Sequence, residues 1–384
     1  MKKFLLFLLS LFSFTLSQAQ EMVYARKLVD TLTSPYFWGR GYTKNGMAKA
    51  AEFIAAEMKE LGLKPMSNKG YLQEFSFPVN AFPGKMEVSI NGKLLTPGKD
   101  FIVSPDSRSV RTKTALQQND SVTFLAAADR LLVTLEDKLT WSVAPAQADF
   151  THVMIAKKVL DQKPENISIN VDAKLFNSFS ASNVCGLVKG TTQPDSLIVF
   201  TAHYDHLGGL GSDTYFPGAN DNASGISLLL NLAKYYAANP QPYSMAFIAF
   251  AGEEAGLVGS KFFTNNPLVP LNSIRFLINV DLVGTGEEGI TVVNATEYVQ
   301  EFAQLNKIND EYKLLQKINA RGKAANSDHY WFSEKGVPAF FLYTLGGIAA
   351  YHDVHDKGAT LPLTEFIDVM KLVIKFNEWL MGKH

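Results

Sequence analysis

The second half of the chain alternates short apolar runs with segments in which apolar residues recur every three or four positions. The apolar runs have the length and composition of buried strands and occupy residues 197–200, 245–250, 276–280 and 339–343. The segments with the helical period occupy residues 224–238, 297–308 and 364–381. Strands that alternate with helices predict an α/β fold with a doubly wound, mostly parallel sheet flanked by helices.

The first half changes its pattern after one helix. Residues 47–61 have an apolar face at helical spacing, and Gly62 is placed to end the helix. From residue 71 to about 184 the chain shows short alternating runs with turn pairs such as Asn91-Gly92, which are typical of hairpins. We therefore predict a β-rich insertion over residues 82–170, which interrupts a catalytic domain made of residues 20–81 and 171–384.

Residues 1–19 have the layout of a secretory signal peptide. Lys2 and Lys3 precede an apolar stretch, and the small residues Ser17 and Ala19 come just before the expected cleavage point, which lies ahead of Gln20. The apolar stretch is shorter than the roughly 20 residues that a spanning helix needs. We expect an exported protein, periplasmic or secreted, that is not held in a membrane after cleavage. The single cysteine, Cys185, lies in an apolar stretch and is predicted to be a buried strand thiol.

Composition narrows the choice of partners. Of the 384 residues 47% are hydrophobic, which is enough for a large core. The 36 basic residues nearly balance the 37 acidic ones. A net charge near zero gives no general attraction to nucleic acid or to an anionic membrane.

Polar residues that can bind metals follow the predicted strands. His203 and Asp205 come after the first, Glu253 and Glu254 after the second, and Asp281 after the third. Loops at the carboxyl ends of parallel strands share one edge of a sheet, so these side chains should converge on one crevice. Imidazoles and carboxylates gathered in one place can bind divalent metals, and this donor set favours zinc.

The residue types suggest separate roles. Asp205, two positions after His203, would orient that imidazole as a ligand. Adjacent Glu253 and Glu254 repel each other, and the repulsion is relieved if Glu254 binds a metal while Glu253 acts as general base. Asp281 closes an apolar run, where an unpaired charge would be unfavourable.

Other positions leave alternatives open. Asp221, in a small-residue loop that begins a helix, could bridge two metals, although capping by Asp221, Asn222 or Ser224 competes with that role. Spacing does not choose between His352 and His355 as the last ligand. The remaining polar residues, each with a packing or capping alternative, are His206, Ser327, Asp328 and His329.

Together these segments resemble the co-catalytic zinc exopeptidase family, which includes secreted bacterial aminopeptidases, glutamate carboxypeptidases and glutaminyl cyclases. The resemblance covers about residues 180–384 and the opening helix. It implies two zinc ions per chain, Glu253 as general base and Asp205 as the residue that orients a histidine. The metal ligands that it implies are His203, Asp221 as the bridge, Glu254, Asp281 and His352.

The same resemblance refines two points. The family pattern Tyr-His-x-x-x-Asp, present at residues 351–356, selects His352 over His355. Relatives hold the peptide bond after the bridging aspartate in cis, so the bond between Asp221 and Asn222 is expected to be cis.

The function that the resemblance implies is hydrolysis of N-terminal residues from peptides by a dinuclear-zinc aminopeptidase. Two other readings remain. A glutaminyl cyclase shares nearly all of these residues but uses one zinc, and a non-catalytic ectodomain would be expected to have lost ligands. A carboxypeptidase or dipeptidase specificity is also open, because the walls of the substrate pocket are formed by loops.

Overall fold

The computed structural model describes residues 19–382. Of the predicted signal peptide only Ala19 falls within that range. The helices are α1 over residues 19–32, α2 Gly46–Glu60, α3 Gly225–Ala238, α4 Val258–Asn265, α5 Val299–Tyr312, α6 His329–Glu334 and α7 Phe366–Gly382. In the described part of the chain, no helix is long and apolar enough to cross a membrane.

Within residues 19–382, eleven strands precede the point at which the chain returns to the main sheet, at Lys174, and nine follow it. The earlier strands are β1 Lys64–Pro65, β2 Leu72–Ala81, β3 Met86–Ile90, β4 Lys93–Leu95, β5 Phe101–Val103, β6 Val110–Ala115, β7 Gln117–Gln118, β8 Thr123–Ala126, β9 Leu131–Glu136, β10 Thr151–Ala156 and β11 Asn166–Val171. The later strands are β12 Lys174–Val188, β13 Gln193–His203, β14 Gly209–Leu210, β15 Thr214–Tyr215, β16 Tyr243–Phe250, β17 Ile274–Val280, β18 Ile290–Val293, β19 Ile318–Ala320 and β20 Ala339–Thr344.

A nine-stranded sheet forms the centre of the molecule. Its order is β1-β12-β16-β13-β17-β20-β18-β19, with β2 paired to β12. The four central strands, β16, β13, β17 and β20, run parallel. The edges are antiparallel, because β12 pairs antiparallel with β16 and β18 with β20. The fold is therefore mixed but mostly parallel at its centre, as the alternation of strands and helices predicted.

The strands of the central sheet are apolar because both faces are covered. All eight residues of β16 are buried, as are the last eight of β13. One face packs against α3 and α7, whose buried Val373 and Phe376 lie on the predicted stripe. A fully buried side chain of this size contributes roughly 1.5–3 kcal/mol. Cys185 is buried in β12, as predicted.

Helix α2 ends where the sequence indicated. Gly62 has φ +83°, a conformation that glycine adopts without a steric penalty. The Leu63 N–H reaches back to the Met58 carbonyl oxygen at 3.1 Å, which closes the helix end.

The strands from β3 to β11 form two smaller sheets, ordered β5-β10-β9-β8-β7 and β4-β3-β11-β6. They enclose a core of their own around Val88, Phe124 and Val133. That core also takes in Phe216 and Val354 from the main domain, so the two parts share packing. The chain enters this region through β2 and returns through β12, and these two strands pair antiparallel.

Candidate metal centre

The polar cluster lies where the strand order reverses. Strand β13 lies between β16 and β17, so the chain moves to one side of β13 and then to the other. In an open α/β sheet this switch point leaves a crevice at the carboxyl ends of the strands. His203 ends β13, Glu253 and Glu254 follow β16, and Asp281 follows β17. The sheet topology thus places residues 78 positions apart, such as His203 and Asp281, side by side.

All five predicted ligands meet in this crevice. His203 Nε2 lies 3.4 Å from Asp221 Oδ1 and 3.3 Å from Asp281 Oδ2. His352 Nε2 lies 3.1 Å from Asp221 Oδ2 and 3.2 Å from Glu254 Oε2. Each oxygen of the Asp221 carboxylate therefore faces a different histidine. Two groups of ligand atoms share one carboxylate between them.

These distances fit zinc. Zinc–nitrogen and zinc–oxygen bonds are about 2.0–2.2 Å in tetrahedral sites, so neighbouring ligand atoms around one ion lie roughly 3.4 Å apart. The histidine–carboxylate distances of 3.1–3.4 Å match that spacing. Asp281 Oδ1 is buried and has no hydrogen-bond partner among the described residues. The donor set and its unpaired oxygen suit divalent cations.

The electrostatics lead to the same conclusion. The carboxylates of Asp221, Glu254 and Asp281 are only 5–9% exposed. In the absence of a metal, burial opposes ionisation, yet His352 and His206 hold the pKa of Glu254 well below its usual range. Burial would lower the pKa of His352, but Glu254 and Asp221 raise it to about 11. With this raised pKa, His352 holds a proton between the two carboxylates, where a cation would otherwise balance their charge.

Glu253 lies beside the first group of ligand atoms. It can offer one oxygen within 4.8 Å of His203 and Asp281 ligand atoms. Burial raises the pKa of Glu253 well above its usual range; His203 opposes this, while Glu254 and Asp328 add to it. A carboxylate with a raised pKa at the edge of a metal pair can exchange a proton there.

Asp205 supports the cluster in a different way from the simple pairing expected. Its Oδ1 is 3.8 Å from His203 Nδ1, which is longer than a hydrogen bond. The His203 Nδ1 instead lies 3.2 Å from the Asp205 backbone oxygen. The Asp205 carboxylate accepts the backbone N–H groups of Glu253 at 3.1 Å and Glu254 at 3.3 Å. Asp205 thus ties the loop after β13 to the loop after β16.

The loop that carries Asp221 is held from two sides. The peptide bond between Asp221 and Asn222 is cis, which confirms the expectation. The Asp356 carboxylate accepts the backbone N–H groups of Asn220 and Asp221 at 2.8 and 3.0 Å. The capping alternative falls to Asn222, whose Oδ1 accepts the Gly225 N–H at 2.9 Å. The Asp221 carboxylate is thereby left to face the histidines.

Sequence reasoning missed Arg40. Its fully buried guanidinium uses all five N–H groups on backbone carbonyls. Those acceptors come from separate segments around the cluster and are Leu32, Tyr204, Pro217, Gly218 and Asp221. Burial lowers the pKa of Arg40 to about 10, against the opposing effect of Asp221 and Asp356, so it stays charged at neutral pH. No local pattern marks it, because an isolated arginine is usually exposed.

The residues left open now have places. His206 is fully buried, and its Nδ1 lies 2.8 Å from Glu254 Oε1, so it belongs to the cluster. His355 is exposed, whereas His352 faces Asp221 and Glu254. Ser327 Oγ accepts the Asn279 side-chain amide at 2.8 Å and donates to Asp281 Oδ2 at 3.4 Å.

Asp328 and His329 are buried beside the cluster and behave differently. Burial raises the pKa of Asp328 to about 7 and lowers that of His329 to about 4. Asp328 precedes α6 but makes no side-chain cap, so the capping explanation does not apply to it. The His329 ring packs against Phe341 with centroids 5.3 Å apart, which is a packing role.

A family model gives the arrangement its place among known proteins. The model for peptidase family M28 matches residues 183–377, just over half of the chain and the segment that holds every residue of the cluster. The chain belongs to peptidase family M28. The family resemblance inferred from the motifs is therefore confirmed.

Two of the relatives that the chain resembles in sequence are named as aminopeptidases. Aminopeptidase YwaD of Bacillus subtilis is 32% identical over 176 residues, which make up 43% of this chain and 36% of that protein. The chain thus matches only about a third of that relative's length. A probable leucine aminopeptidase of Arthroderma otae is 26% identical over 65% of this chain and 72% of its own.

The structural neighbours confirm the predicted fold. BSAP, a zinc aminopeptidase from Bacillus subtilis, superposes with a TM-score of 0.67 at 18% identity, over 92% of this chain and 93% of its own. A glutaminyl cyclase of Bacteroides thetaiotaomicron gives a TM-score of 0.52 at 14% identity, over 92% of this chain and 96% of its own. At these identities the likeness concerns the fold.

Proposed function

We propose that this M28 member is a dinuclear-zinc aminopeptidase that releases N-terminal residues from peptides. The observation that carries the proposal is the Asp221 carboxylate, whose two oxygens face His203 and His352 at 3.4 and 3.1 Å. A carboxylate shared in this way suits two adjacent cations rather than one. His203 and Asp281 would complete one site, and Glu254 and His352 the other. The segments at residues 220–225 and 250–256 resemble the peptidase branch of the family, and aminopeptidase YwaD is among the relatives; both favour this activity.

Zinc bound there would polarise a peptide carbonyl and lower the pKa of coordinated water toward neutrality. The chain's own residues would do the rest. Glu253 would take the proton from the attacking water and return it to the leaving amine, a role for which its raised pKa suits it. Asp205 would keep Glu253 in reach through the backbone hydrogen bond at 3.1 Å. Asp221, Glu254 and Asp281 together bring three negative charges to a site that would hold four positive ones.

The proposal includes export. The leader-like pattern of residues 1–19 supports a periplasmic or secreted location, where the enzyme would meet peptides from outside the cytoplasm.

Metal content and substrate preference test the function together. We expect close to two zinc ions per chain in the purified mature protein, and hydrolysis of aminoacyl-anilides but not of N-blocked peptides. The panel should also contain peptides that begin with glutamine. One zinc per chain together with formation of a cyclic N-terminus would replace the aminopeptidase by a glutaminyl cyclase. Cleavage of N-blocked peptides alone would indicate trimming from the other terminus.

A further inference from the structure

One predicted ligand is held from outside the catalytic domain. Trp141, in the β-rich insertion of residues 82–170, makes two contacts with His352, which is 211 positions away. The Trp141 backbone N–H donates to the His352 carbonyl oxygen at 2.9 Å. The Trp141 carbonyl oxygen lies 2.9 Å from His352 Nδ1. A carbonyl can only accept, so this contact requires the proton on Nδ1 and leaves Nε2 free to bind a metal.

Trp141 is itself fixed by the insertion. Trp141 is 4% exposed, and its indole Nε1–H donates to the carbonyl oxygen of Val103, in β5, at 2.8 Å. The ring stacks on Phe216 with centroids 4.8 Å apart, just ahead of the loop that carries Asp221. The Trp141 side chain therefore packs against the main domain as well as against the insertion.

A second contact from the insertion holds the loop of His352. Lys138 Nζ donates to the Ala349 carbonyl oxygen at 3.1 Å and lies 3.9 Å from the Asp353 carboxylate. Asp353 in turn accepts the His355 N–H at 2.8 Å. His352 has a left-handed backbone with φ +53°, which is uncommon for a residue other than glycine and needs surrounding contacts to persist.

We propose that the β-rich insertion completes the metal centre, with Trp141 as a positioning residue that presents His352 to the metal shared by Glu254 and Asp221. The inference rests on the proposed function, because it assigns the insertion a part in binding one of the two zinc ions. It gives residues 82–170 a role in holding a metal ligand. Loss of the contacts from Trp141 or Lys138 should lower the zinc affinity of the site that contains His352 and leave the site of His203 and Asp281 intact.

The test is zinc affinity rather than turnover. Metal-free protein is titrated with zinc against a chromophoric chelator, for the wild type and for Trp141→Ala. Trp141→Ala keeps the backbone carbonyl but removes the indole, whose contacts with Val103 and Phe216 fix that carbonyl beside His352. We therefore expect one of the two sites to weaken by about 10-fold, the lower end of the range for disturbed outer contacts of a metal-bound histidine, and the other to change little. Phe124→Ala is the matched control, since Phe124 is an equally buried aromatic in β8 of the same insertion. It should lower the melting temperature and leave both zinc affinities unchanged.

Lys138→Ala keeps the inference testable if Trp141→Ala does not fold. Lys138 is 53% exposed, so its loss should not harm folding, and we expect a few-fold weakening of the same site. Lys113→Ala, at an exposed position in β6, is its control. If the wild type binds two zinc ions and both variants match it at both sites, the inference is wrong. A wild type that binds fewer than two would overturn the proposed function instead.

Discussion

The five hydrogen bonds that the Arg40 guanidinium donates to backbone carbonyls give the strongest prediction about stability. In Arg40→Lys the charge remains but the five donors fall to three. Arg40 donates to five backbone carbonyl oxygens around its fully buried side chain, and at least two of them would lose their hydrogen-bond donor. An unsatisfied buried polar group costs about 1–3 kcal/mol, so we expect a loss of roughly 2–6 kcal/mol in the free energy of unfolding. A domain's total is about 5–15 kcal/mol, so the loss should be large.

Urea denaturation of the metal-free protein measures this loss. Arg26→Lys is the matched control, because Arg26, like Arg40, donates only to backbone carbonyls; it has three acceptors, those of Gly358, Leu361 and Pro362. Arg26 is only partly buried, so water can replace the lost donors, and we expect less than about 1 kcal/mol. Zinc affinity should also fall in Arg40→Lys, since two of its acceptors, Gly218 and Asp221, belong to the loop of the shared carboxylate. Equal unfolding midpoints for Arg40→Lys and wild type would refute the reasoning.

Three further predictions concern the cluster. Glu253→Gln should retain both zinc ions and lower turnover by roughly 100- to 10,000-fold, the range for a lost general base; steady-state kinetics at wild-type rate would remove Glu253 from that role. Asp205→Asn removes one of the two oxygens that accept the Glu253 and Glu254 N–H groups, so it should weaken zinc binding by about 10- to 100-fold, the range for outer contacts of metal ligands; zinc retention equal to wild type during dialysis against a chelator would contradict this. Burial raises the pKa of both Asp205 and Asp328 to about 7 from an ordinary value of 3.8. The folded state therefore holds their protons more tightly, and their stabilising contribution is full below about pH 4 and lost as the pH rises through 7. Thermal unfolding in a chelator should give a lower melting temperature at pH 8 than at pH 5, and a higher one would count against it.

The fold could be predicted because its signals are local and redundant. The runs at residues 245–250 and 276–280 match β16 and β17 closely, since a strand buried on both faces must be apolar throughout. The convergence of His203, Glu254 and Asp281 then follows from topology, because parallel strands end at one edge.

The contacts that shape the site were not predictable in this way. Arg40 and Trp141 act through backbone carbonyls, and a carbonyl is present at every position, so no residue pattern records which ones are used. His206 depended on how the chain turns after β13. Strand alternation would have pointed it away from Glu254, but the strand ends at His203 and the ring lies against that carboxylate.

The antiparallel pairing of β2 with β12 brings the two ends of the β-rich insertion side by side. A foreign segment could therefore replace residues 82–170 by joining two neighbouring strands, without altering the order of the nine-stranded sheet. Chimeras of this kind between family members should fold, but many should lack catalytic activity. A donor segment would also need its own partner loop in place of residues 345–356, so engineered exchanges are best made for the two regions as a pair.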